Sequence, residues 1–250
     1  MKYLPILFDI RWRRCLVVGG GRVAVQKINA LLNAGARVTV VSPSIDPLIT
    51  AWLPYRMVEH IAREYETGDL AGHCLVVAAT DNEQVQQRVS EDAKQAGIPC
   101  NVVDRPDLCT FIMPAIYAAD DLTVAVSTNG SCPGFARLLR DHLTTVLGPE
   151  YPLALRIFAK LRERWQNDAV PMEERQRRFD ALFHGPFLAA LRARNWGEAE
   201  TALAAAIAER VHLKDLCPDE LETFDPRFAQ WVEREGQTPS PPAVTETTER

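Results

Sequence analysis

The apolar run R-C-L-V-V at residues 14–18 stops on three consecutive glycines and passes directly into helical spacing. A run of that length reads as a buried strand, and the glycines permit a strand-to-helix turn too tight for side chains. Within V-V-G-G-G-R-V-A the spacing is Gly19-x-Gly21-x-x-Ala24. Gly19 permits the turn, Gly21 leaves the backbone open to a pyrophosphate, and Ala24 lets the helix lie close to the sheet. The amides that open the helix, at Arg22 and Val23, then face the phosphates. This motif favours a dinucleotide site over a glycine turn that binds nothing.

The next eighty residues repeat the alternation. Helical spacing over 23–34 ends before Gly35, and R-V-T-V-V at 37–41 is a β-branched strand. A short helix at 48–52 follows, then strands at 57–61, 74–78 and 99–103, with an amphipathic helix over 82–97 that turns Val85 and Val89 inward. Continuous apolar strands separated by helices predict an α/β fold, a Rossmann-type parallel sheet covered on both faces. Ligands bind such sheets at the strand C-termini. The second strand ends Val41-Ser42-Pro43-Ser44, without the usual ribose-binding acid and without an Arg to hold a 2′-phosphate, so NAD is favoured mildly over NADP. Ser42 or Ser44 either contacts the ribose or, for Ser44, caps the following helix. At the end of A-A-T-D-N, Thr80 is a partner for cofactor or substrate, and Asp81 or Asn82 a helix cap. C-N-V-V-D-R-P places Asp104 where nicotinamide and substrate would meet, either as a base or as one half of an Asp–Arg turn pair.

After Asp104 the pattern changes. Strands over 110–113 and 122–127, with a turn at 119–121, predict an antiparallel hairpin, followed by a helix over 133–147. Four more helices are expected over 153–165, 172–183, 187–194 and 196–211. The resulting division is a dinucleotide domain over 1–109, a small α+β dimerisation and substrate region over 110–149, an all-α region over 150–215, and an extension over 216–250 that is disordered from about 236. The hairpin is apolar, and two strands alone leave edges to cover, so a homodimer through 110–147 is expected. The net charge of −5 disfavours a nucleic-acid partner. Six cysteines without a C-x-x-C pair and five scattered histidines predict free thiols and no protein-bound metal. No run approaches the ~18 apolar residues of a membrane span, and residues 1–10 lack the apolar core of a signal peptide, so a reducing, cytoplasmic setting is expected. Arg11, Arg13 and Arg14 read as a solvated face, while Arg137 and Arg140 share a helix face that either meets acidic substrate groups or lies in solvent.

Taken in order, L-P-I-L-F-D, G-G-G-R-V-A, A-A-T-D-N, N-V-V-D, F-I-M-P (111–114), V-A-V-S-T-N-G-S-C-P (124–133) and A-R-L-L-R (136–140) resemble the N-terminal half of siroheme synthases, the precorrin-2 dehydrogenase and sirohydrochlorin ferrochelatase family. The likeness covers roughly residues 1–215. It implies NAD-dependent oxidation of precorrin-2 to sirohydrochlorin, with ferrous iron as a further substrate in some members, and a homodimer. It also implies Asp104 as general base, with Gly21, Arg22, Val23, Ala24, Pro43 and Ser44 against NAD. Asn101, Phe111, Met113, Pro114, Ser127, Thr128 and Gly130 then lie on the tetrapyrrole side. Some bifunctional members carry Ser and Gly where this chain has Thr128 and Asn129, which leaves chelation open. Longer members continue into a methyltransferase that makes precorrin-2, an activity expected here to come from another protein. Two other readings remain: an NAD-responsive regulatory or scaffold protein, which would not need a base at 104, and a dehydrogenase for another small acid, which would draw a His or Lys from its second domain.

Overall fold

A computed structural model of the chain describes residues 2–217, so most of the expected extension, including its part from 236, lies outside the described residues. The chain forms two compact units. The first spans Met1–Met113 and includes Asn129–Ser131; the second takes in Pro114–Thr128 and continues from Cys132.

In the first unit the order is β1 (Arg14–Val18), α1 (Arg22–Asn33), β2 (Arg37–Val41), α2 (Pro47–Trp52), β3 (Val58–Ile61), β4 (Leu75–Ala78), α3 (Glu83–Ala96) and β5 (Cys100–Val102). The five strands pair in parallel in the order β3-β2-β1-β4-β5, with Val17 opposite both Val40 and Val77. The chain therefore builds outward from β1 on one side, then returns to its other side with β4. That reversal opens a crevice at the strand C-termini between β1 and β4. One face of the sheet buries Cys15, Val17, Val38, Val40 and Val77 beneath Ala24, Ile28 and Leu31 of α1. The other buries Leu16, Val18, Val76 and Ala78 beneath Val85, Val89 and Ala93 of α3. Each fully buried Val, Leu or Ile contributes roughly 1.5–3 kcal/mol relative to exposure. Burial on both faces is why these strands read as continuous apolar runs rather than alternating ones.

The helix ends follow capping chemistry, with one shift from expectation. Asp46, not Ser44, caps α2: its carboxylate accepts from Leu48 N at 2.9 Å, because Asp46 directly precedes Pro47 at the first helical position. Asn82 rather than Asp81 caps α3, accepting from the amides of Gln84 and Val85 at 3.0 and 3.2 Å. Gly35 and Gly97 take left-handed backbone just past α1 and α3.

The second unit opens with β6 (Ala115–Ala119) and β7 (Leu122–Val126), antiparallel with Ala119 opposite Leu122. The strand expected over 110–113 does not form. Those residues are fastened to the start of β5 instead, with Thr110 N on Cys100 O at 2.8 Å and Cys100 N on the Thr110 hydroxyl at 2.8 Å. The hairpin partner of β7 is A-I-Y-A-A, whose alanines weaken its apolar signal but whose register is set by a two-residue turn with Asp120 at φ 51°.

Then come α4 (Pro133–Val146), α5 (Glu150–Asn167), α6 (Met172–His184), α7 (Phe187–Arg192), α8 (Trp196–Ile207) and α9 (Leu213–Leu216). The last expected helix is split, since Ala208 turns left-handed at φ 56° and ends α8. Leu153, Ile157, Leu161 and Trp165, four residues apart on α5, form the spine of this core with Phe187, Leu191, Leu203 and Ile207.

The step from α4 to α5 is held by charge. Glu150 is almost fully buried and accepts from Arg192 Nε at 2.7 Å, while Arg192 Nη2 also donates to Val146 O at 3.1 Å. The Tyr117 hydroxyl of β6 donates to Leu147 O at 2.9 Å beside it. Removing one partner of a buried pair strands the other charge, at about 3–5 kcal/mol, less here because the guanidinium is partly exposed. Arg192→Met is expected to lower stability by about 2–3 kcal/mol in urea denaturation, and Glu150→Gln by less; equal midpoints for wild type and Arg192→Met would remove this pair from the account.

Candidate functional site: a dinucleotide crevice at the strand C-termini

The glycine turn is where the crevice is made. Gly19 has φ 112°, and a Cβ there would fall 2.2 Å from Ala79 O in the loop after β4. A Cβ on Gly20 would fall 2.1 Å from Ser44 O in the loop after β2, and Gly20 O accepts from Asp46 N at 2.8 Å. Gly20 is therefore sterically required, although the two-glycine spacing treats it as free. The signal was in plain view: three glycines where the pattern needs two.

Gly21 differs from both. Nothing lies within 4 Å of where its Cβ would be, and its backbone is extended. It caps α1 with no side-chain hydrogen bond, so the first amides of the helix, at Arg22, Val23 and Ala24, have no capping partner. An open backbone beside uncapped amides at the positive end of a helix fits a pyrophosphate. Arg22 and Val23 are exposed at that end, while Ala24 is fully buried and brings α1 down onto the sheet.

Two loops border this turn. After β2, Ser42 is buried and its hydroxyl donates to Ser44 O at 2.7 Å, while His60 Nε2 lies 2.9 Å from Ser42 O. Pro43 and Ser44 are exposed. After β4, Thr80 Oγ1 accepts from Asn82 N at 3.3 Å, and the Gln86 side-chain amide donates to Thr80 O at 2.7 Å. Gln86, a buried polar residue of α3, was not singled out from the sequence.

Beyond β5, Asp104 is exposed on left-handed backbone, φ 59°. That conformation is costly for a residue with a Cβ and clusters at functional sites. The Asp–Arg turn pair weighed from the sequence is absent: Arg105 pairs with Asp107, at 3.0 and 3.2 Å. The Asp104 carboxylate makes neither a hydrogen bond nor an ion pair among the described residues. Asn101 is buried, and its amide donates to Phe111 O at 3.1 Å. The Cys109 thiol sits inside the turn, accepting from Val102 N at 3.1 Å and 3.3 Å from Arg105 O. Phe111 packs partly buried on the α1 side of the core. Lys27 of α1, unremarked in the sequence, is half-buried; desolvation pulls the ammonium below its usual pKa, against the opposing pull of Asp104 and Cys109.

Gly19, Gly21, Arg22, Val23, Ala24, Pro43, Ser44, Thr80, Asn101, Asp104, Phe111 and Met113 thus all belong to the first unit. Pro114, Ser127 and Thr128 belong to the second. The Thr128 hydroxyl accepts from Cys132 N at 3.1 Å, and Asn129 and Gly130 take left-handed backbone in the turn before α4. Arg140 is paired with Asp141 at 2.6 Å and Arg137 is exposed. Arg11 and Arg14 pair with Asp9 and Glu59 at the N-terminal edge of β1, the edge opposite the crevice. Among the described residues no group of three His, Cys, Asp or Glu side chains could hold a metal, and no helix is long and apolar enough to cross a membrane.

A doubly wound sheet with an uncapped helix behind a glycine turn defines a protein of the dinucleotide-binding class. Residues 6–115 match a family described as "Putative NAD(P)-binding", which makes the cofactor a nicotinamide dinucleotide, and residues 120–145 match "Sirohaem biosynthesis protein central". The siroheme synthase of Nitrosomonas europaea is 42% identical over 188 residues, 75% of this chain and 40% of that protein. That of Methylobacillus flagellatus is 40% identical over 185 residues, 74% of this chain and 40% of its own length. A solved structure of SirC, a precorrin-2 dehydrogenase, superposes with a TM-score of 0.64 over 83% of this chain and 100% of that one; at 20% identity it shows a shared fold. The chain is similar to siroheme synthases over about three quarters of its own length, and it spans about two fifths of the length of those relatives.

Because Gly21 has extended backbone and open space around it, Gly21→Val is expected to fold normally and still lose dinucleotide affinity at least tenfold, as the side chain fills the path of the pyrophosphate. Calorimetry on a folded variant showing wild-type affinity would rule out the glycine turn as the binding site.

Proposed function

We propose that this chain oxidises precorrin-2 to sirohydrochlorin, with NAD as the cofactor. The observation that carries this reading is Asp104: an exposed carboxylate without hydrogen bond or ion pair, held on strained backbone at the C-terminal end of β5. A protein that only sensed NAD would have no use for a strained base there. NAD, when bound, supplies the hydride acceptor. Asp104 accepts the proton released as the macrocycle is oxidised. Gly19 and Gly21 clear the backbone, the amides of Arg22, Val23 and Ala24 hold the pyrophosphate, and Pro43, Ser44 and Thr80 border the cofactor. NAD is preferred over NADP because the buried Ser42 hydroxyl is already committed to Ser44 O and β2 ends without a base. Asn101, Phe111, Met113, Pro114, Ser127, Thr128 and Gly130 are assigned to the tetrapyrrole side.

The domain roles proposed are dinucleotide binding over 1–109, dimerisation and substrate over 110–149, and a helical domain over 150–215, in a cytoplasmic homodimer. Support for the dimer comes from apolar side chains left exposed on β6 and α4: Ile116, Phe135 and Leu138 are 45%, 57% and 68% exposed. Ferrous iron insertion is a second reading for the same base. The Thr128 hydroxyl accepts from Cys132 N in the 127–130 turn, where some bifunctional members carry Ser and Gly at 128 and 129.

Incubation with precorrin-2 and NAD, followed by absorption spectra with and without ferrous iron, tests both. Asp104→Asn keeps the side-chain shape and removes the base, so turnover is expected to fall at least about a hundredfold with NAD affinity nearly intact. Retention of most of the wild-type turnover would take Asp104 out of the mechanism. In light scattering at micromolar concentration a dimer mass is expected; a monomer would refute the proposed interface.

A further inference from the structure

We propose that Ser90 and Thr110 are positioning residues for this site: they clamp the returning limb of the turn that carries Asp104, and so fix where its carboxylate meets cofactor and substrate. The inference rests on the dehydrogenase reading above.

β5 is an edge of the parallel sheet, so one of its sides has no neighbouring strand. The backbone groups on that side need partners from elsewhere. The chain supplies them by doubling back after Asp104. Cys100 N donates to the Thr110 hydroxyl at 2.8 Å, and Thr110 N donates to Cys100 O at 2.8 Å. Val102 N donates to the Cys109 thiol at 3.1 Å, and that thiol lies 3.3 Å from Arg105 O. Cys109 and Thr110 thus cover the edge that another strand would cover, largely with side chains. One residue earlier, the fully buried Ser90 of α3 donates its hydroxyl to Leu108 O at 2.9 Å. Ser90 sits on the face of α3 that buries Val89 and Ala93, where a hydroxyl is costly without a hydrogen bond. The carbonyl of Leu108 is the partner that makes it tolerable.

The need for a clamp follows from the site. Asp104 is exposed, and among the described residues no hydrogen bond holds its carboxylate. Its place is therefore set by its backbone. That backbone is left-handed, φ 59°, which a residue with a Cβ keeps only where its surroundings fix it. On one side of Asp104 the chain is fixed by pairing with β4, ending in Val103 N on Ala78 O at 3.0 Å. On the other side it is fixed by Leu108 and Thr110, through Ser90 and Cys100. Neither hydroxyl is assigned a contact with cofactor or substrate, so both act through the turn. The same helix also reaches the loop after β4, where Gln86, one turn before Ser90, donates to Thr80 O at 2.7 Å. α3 thereby holds the loops that carry Thr80 and Asp104 against one rigid element.

The test uses the full chain with Thr110→Val, Thr110→Ser and Ser90→Ala. Thr110→Val keeps the side-chain shape and removes the acceptor for Cys100 N, whereas Thr110→Ser keeps that acceptor. Without substrate, hydrogen exchange at the Cys100 amide is expected to speed up at least about tenfold in Thr110→Val and to stay at the wild-type rate in Thr110→Ser. Wild-type exchange in Thr110→Val overturns the clamp whatever the reaction. With precorrin-2 and NAD, kcat is expected to fall roughly ten- to a hundredfold in folded Thr110→Val and Ser90→Ala and to return in Thr110→Ser. NAD affinity and the KM for precorrin-2 are expected to stay within about twofold of wild type. Wild-type kcat in either folded variant overturns the positioning role, and so does a loss of NAD affinity as large as the loss of kcat, which would mean general damage to the fold. A wild-type protein with a protected Cys100 amide that oxidises no precorrin-2 overturns the dehydrogenase reading instead, and with it the purpose given to the clamp.

Discussion

The crevice depends on one steric constraint, the contact of two glycines with two neighbouring loops. Gly19 lies against Ala79 and Gly20 against Ser44, each so close that a single added carbon would collide with a carbonyl oxygen. These contacts draw the loops after β1, β2 and β4 into one layer above the sheet. Hydrogen bonds continue the layer: Gly19 N on Val41 O at 2.9 Å and Ala79 N on Val18 O at 2.7 Å. The third glycine is spared any contact, so the tight packing of the first two leaves a free opening at Gly21, in front of uncapped helix amides.

Charge is arranged unevenly around that opening. Two arginines of the loops after β3 and β5 are neutralised locally, Arg63 by Asp69 and Arg105 by Asp107. Asp104 is an exception: it is an exposed carboxylate with no hydrogen bond or ion pair among the described residues.

The second unit is stabilised by different means. Its helices share one apolar core along α5, and the entry to α5 is pinned by the buried Glu150 and Arg192. The hairpin and α4 leave apolar side chains in solvent, in contrast to the fully covered sheet of the first unit. The two units therefore differ in how complete each is by itself: the dinucleotide fold buries its own strands on both faces, while β6, β7 and α4 keep an uncovered side.

The sequence by itself determined the parallel sheet, its helices and the place of the glycine turn, because apolar periodicity and glycine clusters are local signals carried within a few residues. It also located Asp104, since a strand end is legible from the run that precedes it. Only the tertiary structure decided which alternatives hold. Asp46 displaced Ser44 as a cap because proline follows it, Arg105 chose Asp107 over Asp104, and 110–113 joined β5 rather than a hairpin because Cys100 offered both a donor and an acceptor. Gly20 escaped notice because what makes it matter is a group far away in the chain, Ser44, and such a neighbour exists only once the chain has folded.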